Sequence, residues 1–141
     1  HLFLSKIDLL VVPSIREPLG NVCLEAGLCK VAVIASSVDG IPEIIDDNVS
    51  GKLIVPKEKL DKSCFSKESV SFPEVVYFPN CQKIDTPLQV DFKELSGEIV
   101  RLMSDDNLRN FYADNLNIRV IKYFNIDRYV SELHNLYRSL L

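Results

Sequence analysis

Residues 13–26 read Pro-Ser-Ile-Arg-Glu-Pro-Leu-Gly-Asn-Val-Cys-Leu-Glu-Ala. The run before them, from Ile7 to Val12, is apolar except for Asp8, which is typical of a strand buried on both faces of a parallel sheet. Pro13 ends this strand because proline cannot donate to a sheet ladder. A helical pattern follows from Asn21 to Leu28. The stretch therefore predicts a loop and a helix N-terminus beyond the carboxyl end of a strand.

Two glutamates flank the predicted start of this helix. A helix that begins at Gly20 and Asn21 leaves its first backbone amides unpaired, and these amides attract anions together with the helix dipole. Helical side chains lean toward the N-terminus, so Glu25 can reach back alongside such an anion and bind a diol such as ribose. Glu17 would lie on the other side of the anion and accept hydrogen bonds from hydroxyls of a second group. The order of groups matches hexose, diphosphate and ribose.

The pattern continues through residues 32–36 (Ala-Val-Ile-Ala-Ser), 39–43 (Asp-Gly-Ile-Pro-Glu) and 51–56 (Gly-Lys-Leu-Ile-Val-Pro). Together with Glu17 and Glu25, which are separated by seven residues, these segments resemble the C-terminal, donor-binding half of a GT-B fold glycosyltransferase. The family is the retaining group 1 family, often numbered family 4. The resemblance is dense from residue 8 to 56 and weaker from residue 91 to 141.

The resemblance implies transfer of a hexose from a UDP-sugar or GDP-sugar to a glycan or lipid-linked acceptor, with retention of configuration, in polysaccharide or glycoconjugate biosynthesis. It implies that Glu17 is the catalytic-site residue that orients the hexose and that Glu25 binds ribose hydroxyls. Backbone amides of Gly20, Asn21 and Val22 would bind the phosphates. A helix N-terminus can stabilise the leaving diphosphate without a metal, so we expect no metal and no cofactor.

Three further residues in these segments have two possible roles each. Ser14 follows the first strand and is either a ligand of a phosphate or base or a simple turn hydroxyl. Gly40 either satisfies a turn or permits close approach of the donor. Glu43 follows Pro42, and we interpret it as a first-turn helix residue favoured by the dipole rather than as a ligand.

The sequence departs from the usual family pattern after the first helix. Lys30 and Ala32 stand where members usually carry Gly and Pro, and Asp39 precedes Gly40 where members usually carry a pair of glycines. We expect Lys30, at the end of the helix, to adopt a left-handed backbone. We interpret these changes as local backbone variation.

The order of elements predicts an α/β fold. Strands are expected at 32–36 and 52–55, with a short helix from Pro42 to Ile45 between them. Strand, helix, strand, helix, strand is the doubly wound pattern: a parallel sheet with helices on both faces, the Rossmann-like C-terminal half of a GT-B fold. Ligands bind beyond the carboxyl ends of such strands, where Glu17 is expected. Residues 1–141 would form one partial nucleotide-sugar-binding domain, with a C-terminal helical segment.

Residues 57–90 look like an insertion relative to the family. They contain scattered Lys and Ser and three prolines around one apolar run, Val75 to Phe78. The segment is either an ordered surface loop with a short strand or hairpin, or a lid that contacts the acceptor.

Helices are predicted in residues 91–141. Asp91 and Glu94 form a capping signature, Ser104 can cap a second helix, and a third extends from Asp127 to Leu140. Apolar faces are expected at Leu95, Ile99 and Leu102 in the first helix, at Leu108, Tyr112, Leu116 and Val120 in the second, and at Tyr129, Leu133, Leu136, Tyr137 and Leu140 in the third. The third stripe needs a partner surface, which the resemblance implies is the N-terminal domain. In this chain alone we expect part of the stripe to be exposed or to be covered by self-association.

Length and charge restrict the function further. At 141 residues the chain is too short for both domains of a GT-B enzyme, so we expect a fragment that binds donor weakly and transfers nothing alone. The acceptor would be held mainly by the missing N-terminal domain. A net charge of −4 without a basic stripe argues against nucleic acid. No apolar stretch approaches the roughly 20 residues that span a bilayer, so any peripheral contact with the inner face of a membrane would come from the missing part.

The cysteines indicate a reducing compartment. Cys23, Cys29, Cys64 and Cys81 form no C-x-x-C pair, so we expect free thiols in the cytoplasm rather than a zinc site or disulfides. Two alternatives stay open: a non-catalytic module that binds a nucleotide sugar, and another GT-B fold enzyme such as an epimerase or a phosphorylase.

Overall fold

A three-stranded parallel sheet organises the N-terminal half of the chain. The computed structural model describes residues 2–61 and 72–140. The sheet has the order β1-β2-β3, with Leu10 opposite Val33 and Ala35 opposite Leu53. Its strands are β1 (Leu9–Val12), β2 (Ala32–Ser36) and β3 (Lys52–Ile54). The predicted strands are confirmed, although β1 starts two residues later than expected and β3 ends one residue earlier.

Helices connect and follow the strands. Helix α1 (Asn21–Leu28) joins β1 to β2 with the predicted bounds, and α2 (Ile41–Ile44), with Pro42 in its first turn, joins β2 to β3. Three helices form the C-terminal segment: α3 (Phe92–Ser104), α4 (Asp106–Tyr123) and α5 (Ile126–Ser139). None of the helices within the described ranges is both long and apolar enough to cross a membrane.

The central strand β2 is buried along its whole length. Its alternate side chains point to opposite faces of the sheet. Val33 and Ala35 pack in one apolar cluster with residues of α1 and α2, whereas Ala32 and Ile34 pack in a second cluster with residues of α3. Helix α4 contributes residues to both clusters. The doubly wound α/β arrangement is therefore confirmed.

Residues 57–90, predicted to be an insertion, contain two short antiparallel strand pairs in their described part. Strand β4 (Glu58–Lys59) pairs with β7 (Leu88–Gln89), and β5 (Val76–Phe78) pairs with β6 (Lys83–Asp85). Val76 and Phe78 are buried in the same cluster as α1 and α2. The hairpin expected for this segment is confirmed, whereas a lid role stays a prediction. Residues 62–71 of the insertion, including Cys64, lie outside the described residues.

The C-terminal helices are capped by side chains at their N-termini. Asp91 caps α3 by accepting hydrogen bonds from the amides of Lys93 and Glu94, as predicted. The predicted Ser104 cap is wrong by one residue, because Ser104 is still the last residue of α3 and the Asp105 carboxylate accepts from the Leu108 amide at 2.9 Å. Helix α5 has no buried residue, and its predicted stripe is largely open, with Tyr129 61% and Leu140 74% exposed.

Candidate functional site

The start of α1 is built on Gly20. This residue is the N-cap of the helix and has φ 90° and ψ 46°, in the left-handed region that favours glycine. A Cβ on Gly20 would lie 3.3 Å from Cγ1 of Ile41 and 3.7 Å from Sγ of Cys23. The carbonyl of Gly20 accepts the first helical hydrogen bond, from the Cys23 amide at 2.8 Å. Conformation and packing together thus require glycine at this turn.

Glu17 lies directly beside this helix start. Its Oε1 accepts a hydrogen bond from the amide of Gly20 at 3.1 Å, and its side chain is half-buried. Of the three amides predicted to bind phosphates, that of Gly20 is therefore engaged by Glu17. The amides of Asn21 and Val22 belong to the first helical turn, where backbone donors have no carbonyl partner within the helix.

Glu25 and Ser14 occupy different surroundings. Glu25 is exposed on α1, one turn after the helix start. Ser14 is half-buried just beyond β1, and its carbonyl accepts a short hydrogen bond from the hydroxyl of Ser36 at the end of β2. This bond fixes the backbone of Ser14 at the carboxyl edge of the sheet. Roles of either side chain in donor binding stay predictions.

Gly40 packs against the loop that carries Glu17. Its φ of −83° is open to any residue, so a turn does not require glycine here. A Cβ on Gly40 would instead lie 2.4 Å from the carbonyl oxygen of Pro18 and 2.9 Å from Cα of Leu19. The amide of Gly40 donates to the Glu17 carbonyl at 3.4 Å. Glycine is therefore required here by close packing against protein backbone, which is neither of the two predicted roles, and close approach of the donor stays a prediction.

Asp39 was not identified as a site residue from the sequence. Its Oδ2 accepts a hydrogen bond from the amide of Glu17 at 2.9 Å, and its Oδ1 accepts one from the amide of Tyr77 at 3.0 Å. The interpretation of the Asp39-Gly40 pair as local backbone variation did not predict these two hydrogen bonds. The sequence did contain a signal for this role, namely an aspartate between a strand and a helix. Aspartate tolerates the left-handed backbone, which Asp39 adopts with φ 44°.

A small cleft opens next to these residues. It has a volume of about 260 Å³ and is lined by Arg16, Pro18, Asp39, Gly40, Glu43 and Tyr77. Arg16 is exposed at this cleft. Glu43 is in the first turn of α2, as predicted. The cleft thus places a cation beside the loop of Glu17 and the turn of Gly40.

Cys23 lies on the buried face of α1 near Glu17. Burial, together with the negative charge of Glu17, raises the pKa of the Cys23 thiol to about 12. A thiol with this pKa stays protonated near neutral pH and is a poor nucleophile. Cys23, Cys29 and Cys81 are not in disulfides, which agrees with the free thiols predicted for these three residues.

Comparisons with known proteins agree with this geometry. Residues 1–63 match the family described as glycosyl transferases group 1. The chain is 51% identical over 51 residues to the alpha-maltose-1-phosphate synthase of Mycobacterium tuberculosis (strain CDC 1551 / Oshkosh). This match covers 36% of this chain and 13% of the relative. It is 47% identical over 47 residues to the D-inositol 3-phosphate glycosyltransferase of Saccharomonospora viridis, covering 33% of this chain and 11% of that protein. The chain thus spans a small part of these relatives.

Solved structures match over nearly the whole chain. Sucrose-phosphate synthase from Thermosynechococcus elongatus is 25% identical with a TM-score of 0.68, covering 99% of this chain and 27% of that chain. The C-terminal domain of a group 1 glycosyl transferase, LpcC, from Francisella tularensis is 25% identical with a TM-score of 0.60, over 88% of this chain and 47% of that one. HepE from Anabaena, solved with UDP-glucose, is 20% identical with a TM-score of 0.67, over 97% of this chain and 29% of its own.

These matches and the doubly wound sheet lead to one assignment. Over residues 1–63 this chain matches the group 1 glycosyl transferases, and as a whole it has the α/β fold of solved GT-B glycosyltransferases.

Proposed function

We propose that this chain is the donor-binding part of a retaining hexosyltransferase of family 4 that uses a nucleoside-diphosphate sugar. One observation carries the proposal: the Glu17 carboxylate is held 3.1 Å from the Gly20 amide, at the N-terminal end of α1. A carboxylate that can bind sugar hydroxyls therefore lies next to a helix N-terminus that can bind phosphates. The family match of residues 1–63 supports the enzyme class.

The diphosphate would bind at the first turn of α1. The amides of Asn21 and Val22 and the helix dipole would stabilise the charge that develops on the leaving nucleoside diphosphate. This stabilisation requires no metal ion. Arg16, exposed at the cleft that Pro18 and Gly40 also line, adds a positive charge next to the loop of Glu17.

Glu17 would orient the hexose rather than attack it. A carboxylate has about four acceptor sites, and the Gly20 amide uses one of them. The remaining sites can accept hydrogen bonds from sugar hydroxyls without breaking the contact that fixes the side chain. Glu25, one turn along the same helix and exposed, would accept from ribose hydroxyls.

The acceptor, the linkage and the surrounding pathway belong to the same proposal. Because the chain matches only 13% of the length of the synthase relatives, we assign the acceptor, a glycan or glycolipid, mainly to another domain of the complete enzyme. A cytoplasmic site of action, with peripheral contact to the inner face of a membrane through that domain, fits the free thiols among the described residues.

Titration calorimetry with the chain tests the proposal. UDP, UDP-glucose, GDP and GDP-mannose are the probes, since HepE, which shares the fold, was solved with UDP-glucose. We expect weak binding of one nucleotide and tighter binding of its sugar conjugate. Glu25→Gln should weaken both ligands, whereas Glu17→Gln should reduce only the advantage of the sugar conjugate.

Glu98→Gln is the matched control, because it removes one negative charge from α3, on the opposite face of the sheet. It should leave every affinity unchanged. Failure of all four probes to bind, or equal effects of the Glu17, Glu25 and Glu98 substitutions, would contradict the proposed function.

A further inference from the structure

The carboxylate of Asp39 joins two segments that are distant in the sequence. Oδ2 accepts a hydrogen bond from the Glu17 amide at 2.9 Å, and Oδ1 accepts one from the Tyr77 amide at 3.0 Å. The amide of Asp39 in turn donates to the carbonyl of Tyr77 at 2.9 Å. The loop before α1 and strand β5 of the insertion are therefore connected through one residue.

Strand β5 gives this connection a fixed end. Val76 and Phe78, on either side of Tyr77, are 2% and 7% exposed and are packed in the main apolar cluster. The backbone of Tyr77 is thus held between two buried side chains. A hydrogen bond from it to Asp39 fixes the carboxylate with respect to the core.

From Asp39 the hydrogen bonds continue to the start of α1. Asp39 holds the amide of Glu17, and the Glu17 carboxylate holds the amide of Gly20 at 3.1 Å. The carbonyl of Glu17 also accepts from the Gly40 amide at 3.4 Å. Since the backbone of Glu17 is bonded on both sides, its side chain projects from a defined position.

We propose that Asp39 is a positioning residue through which the insertion hairpin β5–β6 holds the Glu17 carboxylate against the start of α1. The inference rests on the proposed function and deepens it, because it assigns the insertion to the sugar end of the donor site. It also explains why an acidic residue occupies this left-handed position. A carboxylate accepts from two amides at once, whereas glycine offers no acceptor and asparagine offers one oxygen and a competing donor.

Amide hydrogen exchange tests the connection without any ligand. Asp39→Gly keeps the left-handed backbone accessible and removes the carboxylate, and Asp39→Asn keeps one acceptor. In Asp39→Gly we expect exchange to accelerate about tenfold at Glu17 and Tyr77, which lose their acceptor, and also at Gly20. Asp39→Asn should show a smaller change. Gln82→Gly, another left-handed position with φ 52° in the same hairpin, controls for the introduced glycine.

The Gly20 amide decides the outcome. Gly20 makes no bond to Asp39, so its exchange accelerates only if Asp39 positions the Glu17 side chain. Unchanged exchange at Gly20 in both Asp39 variants would overturn the proposal, even if Glu17 and Tyr77 respond.

Ligand affinity supplies the functional readout. In the wild-type chain we expect UDP-glucose to bind more tightly than UDP, and in Asp39→Gly we expect this ratio to fall while the affinity for UDP is kept. A wild-type preference for the sugar conjugate that Asp39→Gly leaves intact would also overturn the proposal. If the wild-type chain binds none of the four nucleotide probes, the proposed function fails, and the exchange at Gly20 still decides whether Asp39 positions Glu17.

Discussion

Oε1 of Glu17 lies 3.1 Å from the amide nitrogen of Gly20, so a loop carboxylate closes the first turn of α1. This contact brings the residue expected to meet the sugar next to the amides expected to meet the phosphates. Glu17 thus has two properties that substitutions can test separately: its negative charge and its fixed position.

Removal of the Glu17 side chain should abolish most of the transfer activity. In an enzyme that contains this chain together with its acceptor domain, we expect Glu17→Ala to lower kcat at least about a hundredfold, as when a positioning group is lost. Glu17→Gln keeps an oxygen for the Gly20 amide and should be less impaired. Steady-state kinetics with saturating donor measure both variants, and near-normal turnover of Glu17→Ala would contradict the assigned role.

Gly20 should be intolerant of substitution. Alanine would have to adopt φ 90° and place its Cβ 3.3 Å from Ile41, so we expect Gly20→Ala to lower the free energy of unfolding by about 1–3 kcal/mol. Urea denaturation measures the change. Gly97→Ala is the control, because Gly97 is exposed on α3 and a methyl group added there would meet no neighbour within 4 Å outside its own helix backbone. This control should stabilise the protein by up to about 1 kcal/mol.

Gly27 sets how closely α1 and α4 pack. A Cβ there would lie 2.8 Å from Cγ2 of Val120 and 3.0 Å from Cγ of Leu116, both buried. Overpacking should outweigh the gain in helix propensity, so we expect Gly27→Ala to destabilise the protein by about 1–2 kcal/mol. A variant as stable as Gly97→Ala in the same urea titration would show that the two helices can separate without cost.

Lys30 adopts the left-handed backbone predicted from its place after α1, with φ 55°. Its ammonium also pairs with Asp114 at 2.8 Å, with both side chains more than half exposed. Lys30→Gly and Lys30→Ala lose this pair equally, but only glycine relieves the backbone strain. We expect Lys30→Gly to be more stable than Lys30→Ala by about 1 kcal/mol in thermal or urea unfolding. Equal stabilities would exclude strain at this position.

Cys23 should make stability fall at high pH. Its thiol has a pKa of about 12 in the folded chain against a usual value near 9. Above pH 9 the unfolded chain loses the thiol proton first, so the stabilising contribution present at lower pH declines by about 1.4 kcal/mol per pH unit until the pH reaches the folded pKa. Urea titrations from pH 8 to about 11 measure this slope. Cys23→Ala lacks the thiol and should show a shallower decline; parallel curves would contradict the raised pKa.

The parts of the fold that were predictable depend on local signals. Helix α1 has its predicted bounds because Gly20 at its N-cap and the helical pattern after it lie within a few residues of each other. The left-handed backbone of Lys30 was predicted from an equally local signal, its place at the end of α1. Ser104 and Asp105 are both good capping residues, and the sequence does not distinguish them until the end of α3 is known.

The connection through Asp39 was beyond such reasoning. Its two partners are 22 and 38 residues away in the sequence, and one of them belongs to the insertion, whose hairpin register follows no strong periodicity. The engagement of the Gly20 amide by Glu17 was missed for a different reason. The motif places the residues three apart, and the rotamer of Glu17 decides which atom the carboxylate meets.

Helix α4 has a consequence for how the protein melts. One apolar cluster contains Tyr112 and Ala113 of this helix, and the other contains Leu116 and Val120. The helix therefore covers apolar residues on both faces of the sheet, and neither face can become exposed to solvent while the other stays buried. Unfolding of this helix exposes both apolar clusters together, which predicts a single all-or-none calorimetric transition. Helix α5, with no buried residue, can fray ahead of that transition without weakening its cooperativity.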